Sequence, residues 1–179
     1  EDAIVGKDLD GTVNFWNPGA VRLFGYTPEE VIGRPITFII PPERQEEERE
    51  ILQKLARGER IEHYETLRIA NNGFWLDVSI SASPIRDANG RIVGTSQAVR
   101  DILPFLGDKS KYMRALAVRA LGEIASERAR KPLKDLIAKE QDPTVLADAK
   151  KAVKEIDNAA YTMKMDMDLL MEELTGGVK

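Results

Sequence analysis

Over the first hundred residues, apolar and polar positions alternate in short runs punctuated by turn residues. Beyond about residue 108 the apolar positions recur every three to four residues instead. The first texture predicts strands. Ile4-Val5 opens one, Asp8-Leu9-Asp10-Gly11 turns the chain, and residues 12–16 return as a second strand. Asn17 followed by Pro18 predicts a capped helix carrying Val21, Leu23 and Phe24, which Gly25 ends. Thr27-Pro28-Glu29-Glu30 has the form of a capping box before Val31 and Ile32, and Gly33 stops that turn. Pro41-Pro42 closes the apolar segment 36–40. A helix is predicted over 44–57, with Ile51, Leu52 and Leu55 on one face and the acidic side 46–50 in water.

After Gly58, residues 61–69 alternate as a third strand and Asn71-Asn72-Gly73 makes a hairpin turn. Residues 74–83 alternate clearly. Leu76, Val78, Ile80 and Ala82 point one way; Asp77, Ser79, Ser81 and Ser83 point the other, an arrangement expected of a solvated face or dimer rim. Residues 87–90 turn the chain again, and 92–99 form the last strand. The order β-β-α-α-α-β-β-β suits one five-stranded antiparallel sheet with helices on one face, giving an α+β fold followed by an all-α segment.

The second texture begins after a linker at 103–107, marked by Pro104 and Gly107. A helix over 110–125 presents Met113, Leu116, Ala117, Ala120, Leu121 and Ile124 on its apolar face, and a second spans 130–139 with Leu133, Leu136 and Ile137. Asp142-Pro143 caps a third, which runs to Ile156. Ala117, Ala120, Glu123 and Ile124 recur as Ala149, Ala152, Glu155 and Ile156, a period of 32 residues that signals stacked helical pairs. A final helix over 159–174 holds four of the five methionines; Met163, Met167, Leu170, Met171 and Leu174 share a face that Met165 and Leu169 widen. It is expected to cap the short repeat, with a role in binding a partner as the alternative.

Composition narrows the chemistry. The 179 residues contain no cysteine and one histidine, which excludes disulfides, thiolate chemistry and a multi-histidine metal site. The net charge of −4 leaves no basic footprint for nucleic acid. No apolar run approaches a membrane span and no signal peptide is evident, so the expectation is a cytoplasmic protein. A first residue other than Met suggests a trimmed or processed chain with an upstream segment missing.

Several of these segments taken together resemble a known family. Asp8-Leu9-Asp10-Gly11, Trp16-Asn17-Pro18, Phe24-Gly25-Tyr26-Thr27-Pro28-Glu29-Glu30, the run from Gly58 to Thr66 that contains His63, Asn72-Gly73 and Arg100-Asp101-Ile102 resemble the PAS sensor module over residues 1–102. Met113-Arg114, Ala117-Val118, Ala120-Leu121-Gly122-Glu123-Ile124 and Asp142-Pro143 resemble HEAT-like repeats over 108–157, leaving 158–179 as a C-terminal amphipathic helix. The PAS resemblance implies a small pocket between the sheet and its helices that holds haem, flavin or a metabolite, or nothing. It also implies output through the last strand. Pocket candidates are Leu52, Leu55, His63, Leu67, Val78 and Ile80; Val99, Asp101 and Ile102 are the candidates for signal coupling.

The usual haem ligand of the family, a histidine on the long helix, has no counterpart in 44–57, and the light-sensing flavin branch needs a cysteine the chain lacks; both attachments are disfavoured. His63 is expected to be a partly buried structural histidine, Trp16 and Trp75 packing residues, and Asp8 and Asp10 turn formers. With no nucleophile–base pair, the expectation is a non-enzymatic sensor or adaptor whose repeat and C-terminal helix bind protein partners, with a small-molecule ligand and a homodimer left open. The alternatives are a ligand-free PAS dimerisation scaffold and a fragment of a larger sensor kinase.

Overall fold

The computed structural model describes residues 2–174, and side chains within its helices and strands through residue 171. The chain divides into two compact units, with the boundary between Ile102 and Leu103.

The first unit is built on strands β1 (Ala3–Lys7), β2 (Val13–Trp16), β3 (Ile61–Ile69), β4 (Trp75–Arg86) and β5 (Ile92–Asp101). They form one antiparallel sheet in the order β2-β1-β5-β4-β3, so the first hairpin pairs with the last strand. Between β2 and β3 lie helices α1 (Pro18–Phe24), α2 (Pro28–Val31) and α3 (Gln45–Ala56), with short 3₁₀ turns at Ile36–Ile39 and Pro42–Arg44.

Local chemistry sets these boundaries. Asn17 Oδ1 accepts from the Ala20 amide at 2.8 Å and also from the Ile4 amide, so one side chain caps α1 and ties it to β1. Gly25 ends α1 at φ +77, and Thr27 N–H donates to Glu30 Oε2 at 2.7 Å in the capping box of α2. Asp8 and Asp10 act as turn formers: Asp10 Oδ1 accepts from the Thr12 amide and Asp8 Oδ1 from Asn14 Nδ2.

The core lies between the helical excursion and the inner face of the sheet. Val5, Val13, Ala20, Phe24, Val31, Ile36, Ile39, Val78 and Ile80 are all buried there. Trp16 packs as expected, with its ring 5.4 Å from Phe24 and its indole N–H donating to the Tyr26 carbonyl. Trp75 does not: at the first position of β4 it is exposed. The face of β4 expected to be solvated is only partly so, since Asp77 is fully buried and Ser79, Ser81 and Ser83 are half-buried.

The second unit begins with a 3₁₀ turn, Leu103–Gly107, whose Leu106 is buried; the expected linker is thus part of the helical unit. Helices α4 (Lys111–Ile124), α5 (Arg130–Lys139) and α6 (Pro143–Leu174) follow, with a 3₁₀ turn at Glu127–Ala129. The echoed residues Ala117, Ala120 and Ile124 of α4 and Ala149, Ala152 and Ile156 of α6 are all buried. Gly122 makes their approach possible, because a Cβ there would stand 2.9 Å from that of Ala152. Met113 and Leu116, expected in this core, are exposed instead.

The largest departure from expectation is α6. The third and final predicted helices form one continuous 32-residue helix, since nothing between Ile156 and Ala159 is a helix breaker. Among the described side chains its far end does not cover the repeat as expected: every one from Tyr161 to Met171 is exposed, and that of Leu174, expected on the same face, lies outside the described residues. At 100° per residue Met165 also falls on the side opposite Met163 and Met167 rather than widening their face.

Candidate ligand site on the inner face of the sheet

Strand pairing places residues from four distant segments on one face. Lys7 of β1 stands opposite Thr95 of β5, and Val5 stands opposite Gln97. Across the other edge of β5, Gln97 pairs with Ala82, and on β3 Thr66 pairs with Val78 and Arg68 with Leu76. Directly opposed residues share a face. The face that carries the apolar core therefore also carries Lys7, Thr66, Arg68, Thr95 and Gln97, each at least nine-tenths buried.

Helix α3 closes over these groups with its first turn. Glu48, expected in water, is buried and forms an ion pair with the fully buried Lys7. The reason is geometric: the turn that starts α3 points Glu47 and Glu48 at the sheet, while Glu46 stays outside in a surface pair with Arg49. Burial holds the Lys7 ammonium below its ordinary value, and the Glu48 charge offsets part of that effect. Beside it, Glu47 Oε2 accepts from Thr66 Oγ1 at 2.6 Å, Arg44 Nη1 donates to Glu47 Oε1 at 2.6 Å, and Arg68 lies 3.8 Å from Glu47. Arg68 also donates to the Leu67 carbonyl at 2.7 Å, and burial lowers its pKa, with Glu48 and Glu47 opposing. The acids sit where the α3 dipole favours negative charge.

Two members of the face are left without partners. Among the described residues, Thr95 Oγ1 and Gln97 Nε2 are buried and make no hydrogen bond. A buried amide or hydroxyl so placed costs about 1–3 kcal/mol. The inner face thus carries two orphaned buried polar groups on the same side as an ammonium–carboxylate pair.

The sequence-derived pocket residues divide. Leu55, Val78 and Ile80 are buried on this side of the sheet, and Leu52 is half-buried on α3. Leu67 pairs with Asp77 and so lies on the opposite face, away from Val78 and Ile80. His63 sits where the β3–β4 register slips between Ile61 and Tyr64, at φ +52, and is exposed rather than partly buried. It therefore belongs to neither a pocket nor an axial-ligand position, and histidine-ligated haem does not fit the inner face. A cysteinyl flavin does not fit either, since there is no cysteine to form the bond. Of the coupling residues, Val99 is buried in β5, Asp101 ends that strand opposite Val78, and the Ile102 amide donates to the Asp77 carbonyl at 2.8 Å. Sequence reasoning missed Lys7, Thr95 and Gln97. The signal was present: Ala3, Val5 and Lys7 alternate inward, as do Thr95, Gln97 and Val99.

Comparison with known proteins agrees with this architecture. A family model for the PAS domain matches residues 1–103, and a model for HEAT repeats matches residues 88–154. A phytochrome of Picea abies is 28% identical over 103 residues, which are 55% of this chain and 9% of that protein, so this chain spans only a small part of its relative's length. The PAS domain of a protein from Colwellia psychrerythraea superposes with a TM-score of 0.51 at 29% identity, covering 56% of this chain and 85% of that one. A light-oxygen-voltage domain studied with a flavin analogue superposes at 0.51 with 22% identity, covering 65% and 84%, and shares the fold.

Proposed function

This chain belongs to the PAS domain family, and on that premise we propose that it is a non-enzymatic signalling sensor. Its PAS module holds a small polar ligand against the inner face of the sheet, and its HEAT-like helices pass the signal on by protein contact in the cytoplasm. The observation that carries this reading is the pair of orphaned polar groups, Thr95 Oγ1 and Gln97 Nε2, beside the Lys7–Glu48 pair. A hydrogen-bonding ligand removes the cost of leaving them unpaired.

Such a ligand would take a hydrogen bond from the Gln97 amide and exchange one with the Thr95 hydroxyl, while Lys7 supplies positive charge at the edge of the site. Ligand-dependent change in β5 would then travel along the chain through Val99, Asp101 and Ile102 into the 3₁₀ turn that starts the helical unit.

Native mass spectrometry and absorbance of the purified protein test this reading. The expected result is a bound small molecule that is lost in the Thr95→Val/Gln97→Leu variant. That variant, freed of the orphaned groups, should gain about 1 kcal/mol or more in ligand-free stability. A wild type that carries no adduct, and whose stability the double substitution leaves unchanged, would overturn it and favour a ligand-free scaffold.

A further inference from the structure

We propose that Lys7 is a covalent attachment point, where the ε-amine condenses with the carbonyl group of a small aldehyde or ketone held on the inner face of the PAS sheet. This rests on the ligand reading above and names the chemical class of the ligand. Every other described lysine is exposed, whereas Lys7 is fully buried. A lysine ordinarily keeps its ammonium in water while its stem lies along the protein. Here the ammonium has left water, and among the described residues its partner is Glu48 alone. An ammonium offers three donors, so that single bond leaves two of them unused in a dry site.

The neighbours of Lys7 complete the chemistry. Thr95 stands directly opposite it on β5, and Gln97 follows two residues further along the same face. Directly opposed side chains start about 4.5–5.5 Å apart. Both neighbours are buried, and among the described residues Thr95 Oγ1 and Gln97 Nε2 make no hydrogen bond. A nitrogen nucleophile, a carboxylate that can carry its proton and two unpaired donors on one dry face are what a carbonyl condensation uses. Burial favours the neutral amine that attacks a carbonyl, the Glu48 charge opposes this, and the Arg68 charge adds to the effect of burial.

The step balances without an oxidant or reductant. Glu48 takes one proton from the Lys7 ammonium, and the Nζ lone pair forms a bond to the carbonyl carbon as the C=O π pair moves onto oxygen. The Gln97 amide and the Thr95 hydroxyl donate to that oxygen. Glu48 returns its proton to the oxygen and relays a second one from nitrogen. The oxygen leaves as water, and the nitrogen pair closes the C=N bond. The third ammonium proton stays on nitrogen, so the product is an iminium that keeps its positive charge opposite Glu48.

The test is labelling of the whole chain with propanal and cyanoborohydride, which reduces an imine to a stable secondary amine, read site by site by peptide mass spectrometry. Lys7 is expected to label ahead of exposed lysines such as Lys54. Thr95→Val/Gln97→Leu should lose the Lys7 label while labelling Lys54 as the wild type does. Borohydride treatment of the protein as purified should also fix its bound molecule to Lys7, so that it survives denaturation. Lys7→Met/Glu48→Leu, which replaces the ion pair with apolar side chains, should lose that adduct. A Lys7 that stays unlabelled while Lys54 reacts overturns the proposal, and so does a Lys7 label that Thr95→Val/Gln97→Leu leaves unchanged. A molecule seen in native mass spectrometry that leaves on denaturation after borohydride overturns the imine and leaves the ligand reading standing. The absence of any bound molecule counts against the ligand reading instead, and the propanal label still decides whether Lys7 condenses.

Discussion

Lys7 shows most sharply how one residue's chemistry depends on where the fold puts it. It is fully buried, and its counter-ion Glu48 comes from a helix forty residues away. A buried ion pair recovers little net stability over an apolar pair, yet removing one partner strands the other. Glu48→Gln should therefore lower the stability of the PAS unit by about 3–5 kcal/mol, read from the urea midpoint of its β-sheet signal. The double change Lys7→Met/Glu48→Leu should recover most of that loss. If Glu48→Gln proved neutral, the pair would have to be open to water.

Among elements, the helical unit depends on a polar clamp and one close helix contact. Arg114 of α4 binds Glu140, at the end of α5, through two parallel bonds of 2.7 and 3.0 Å, and its remaining nitrogen donates to the Asp108 and Lys109 carbonyls. Glu140 also accepts from the amides of Gln141 and Asp142, which leads into the Asp142 cap of α6. These bonds, Arg114 first, hold the Glu140 carboxyl down to about 2 from its ordinary 4.5. A carboxyl whose folded pKa is depressed contributes stability that is fully present above the unfolded value and is lost as the pH falls toward the folded one. Helical melting followed from pH 6 downward should therefore show a loss of stability between about 4.5 and 2 that Glu140→Gln largely abolishes. The close contact makes a separate prediction. Gly122→Leu forces a side chain into Ala152 and Glu155, and should cost about 1–3 kcal/mol by the same helical signal.

For the whole molecule, the direct passage from β5 into the helical unit is the feature that bears on signalling. Only Ile102 separates the end of the last strand from the 3₁₀ turn at Leu103–Gly107. If ligand binding alters β5, amide exchange in residues 108–157 should change between the wild type as purified and Thr95→Val/Gln97→Leu. Identical exchange across 108–157 in the two proteins would rule out coupling through this joint and leave the repeat as a passive attachment.

The amino-acid sequence by itself determined the elements. Asn17-Pro18, the Thr27–Glu30 box, Asp142-Pro143 and the glycines at 25, 33 and 73 act within a few residues of themselves, so their outcome is legible without a fold. The 32-residue echo foretold which faces of α4 and α6 meet, because burial there follows the helical period. Tertiary structure decided what depends on pairing across long separations. The β1–β5 register sets Lys7 opposite Thr95, nearly ninety residues on, and the entry angle of α3 turns Glu48 inward while Glu46 stays wet. A slip in the β3–β4 register sends His63 outward, and the strand period sends Leu67 to the other face. An unbroken helix carries the methionines past the helical core they were expected to cover. Turn and cap preferences are local energies; the burial of a charge or the exposure of a methionine is a property of what the rest of the chain places beside it.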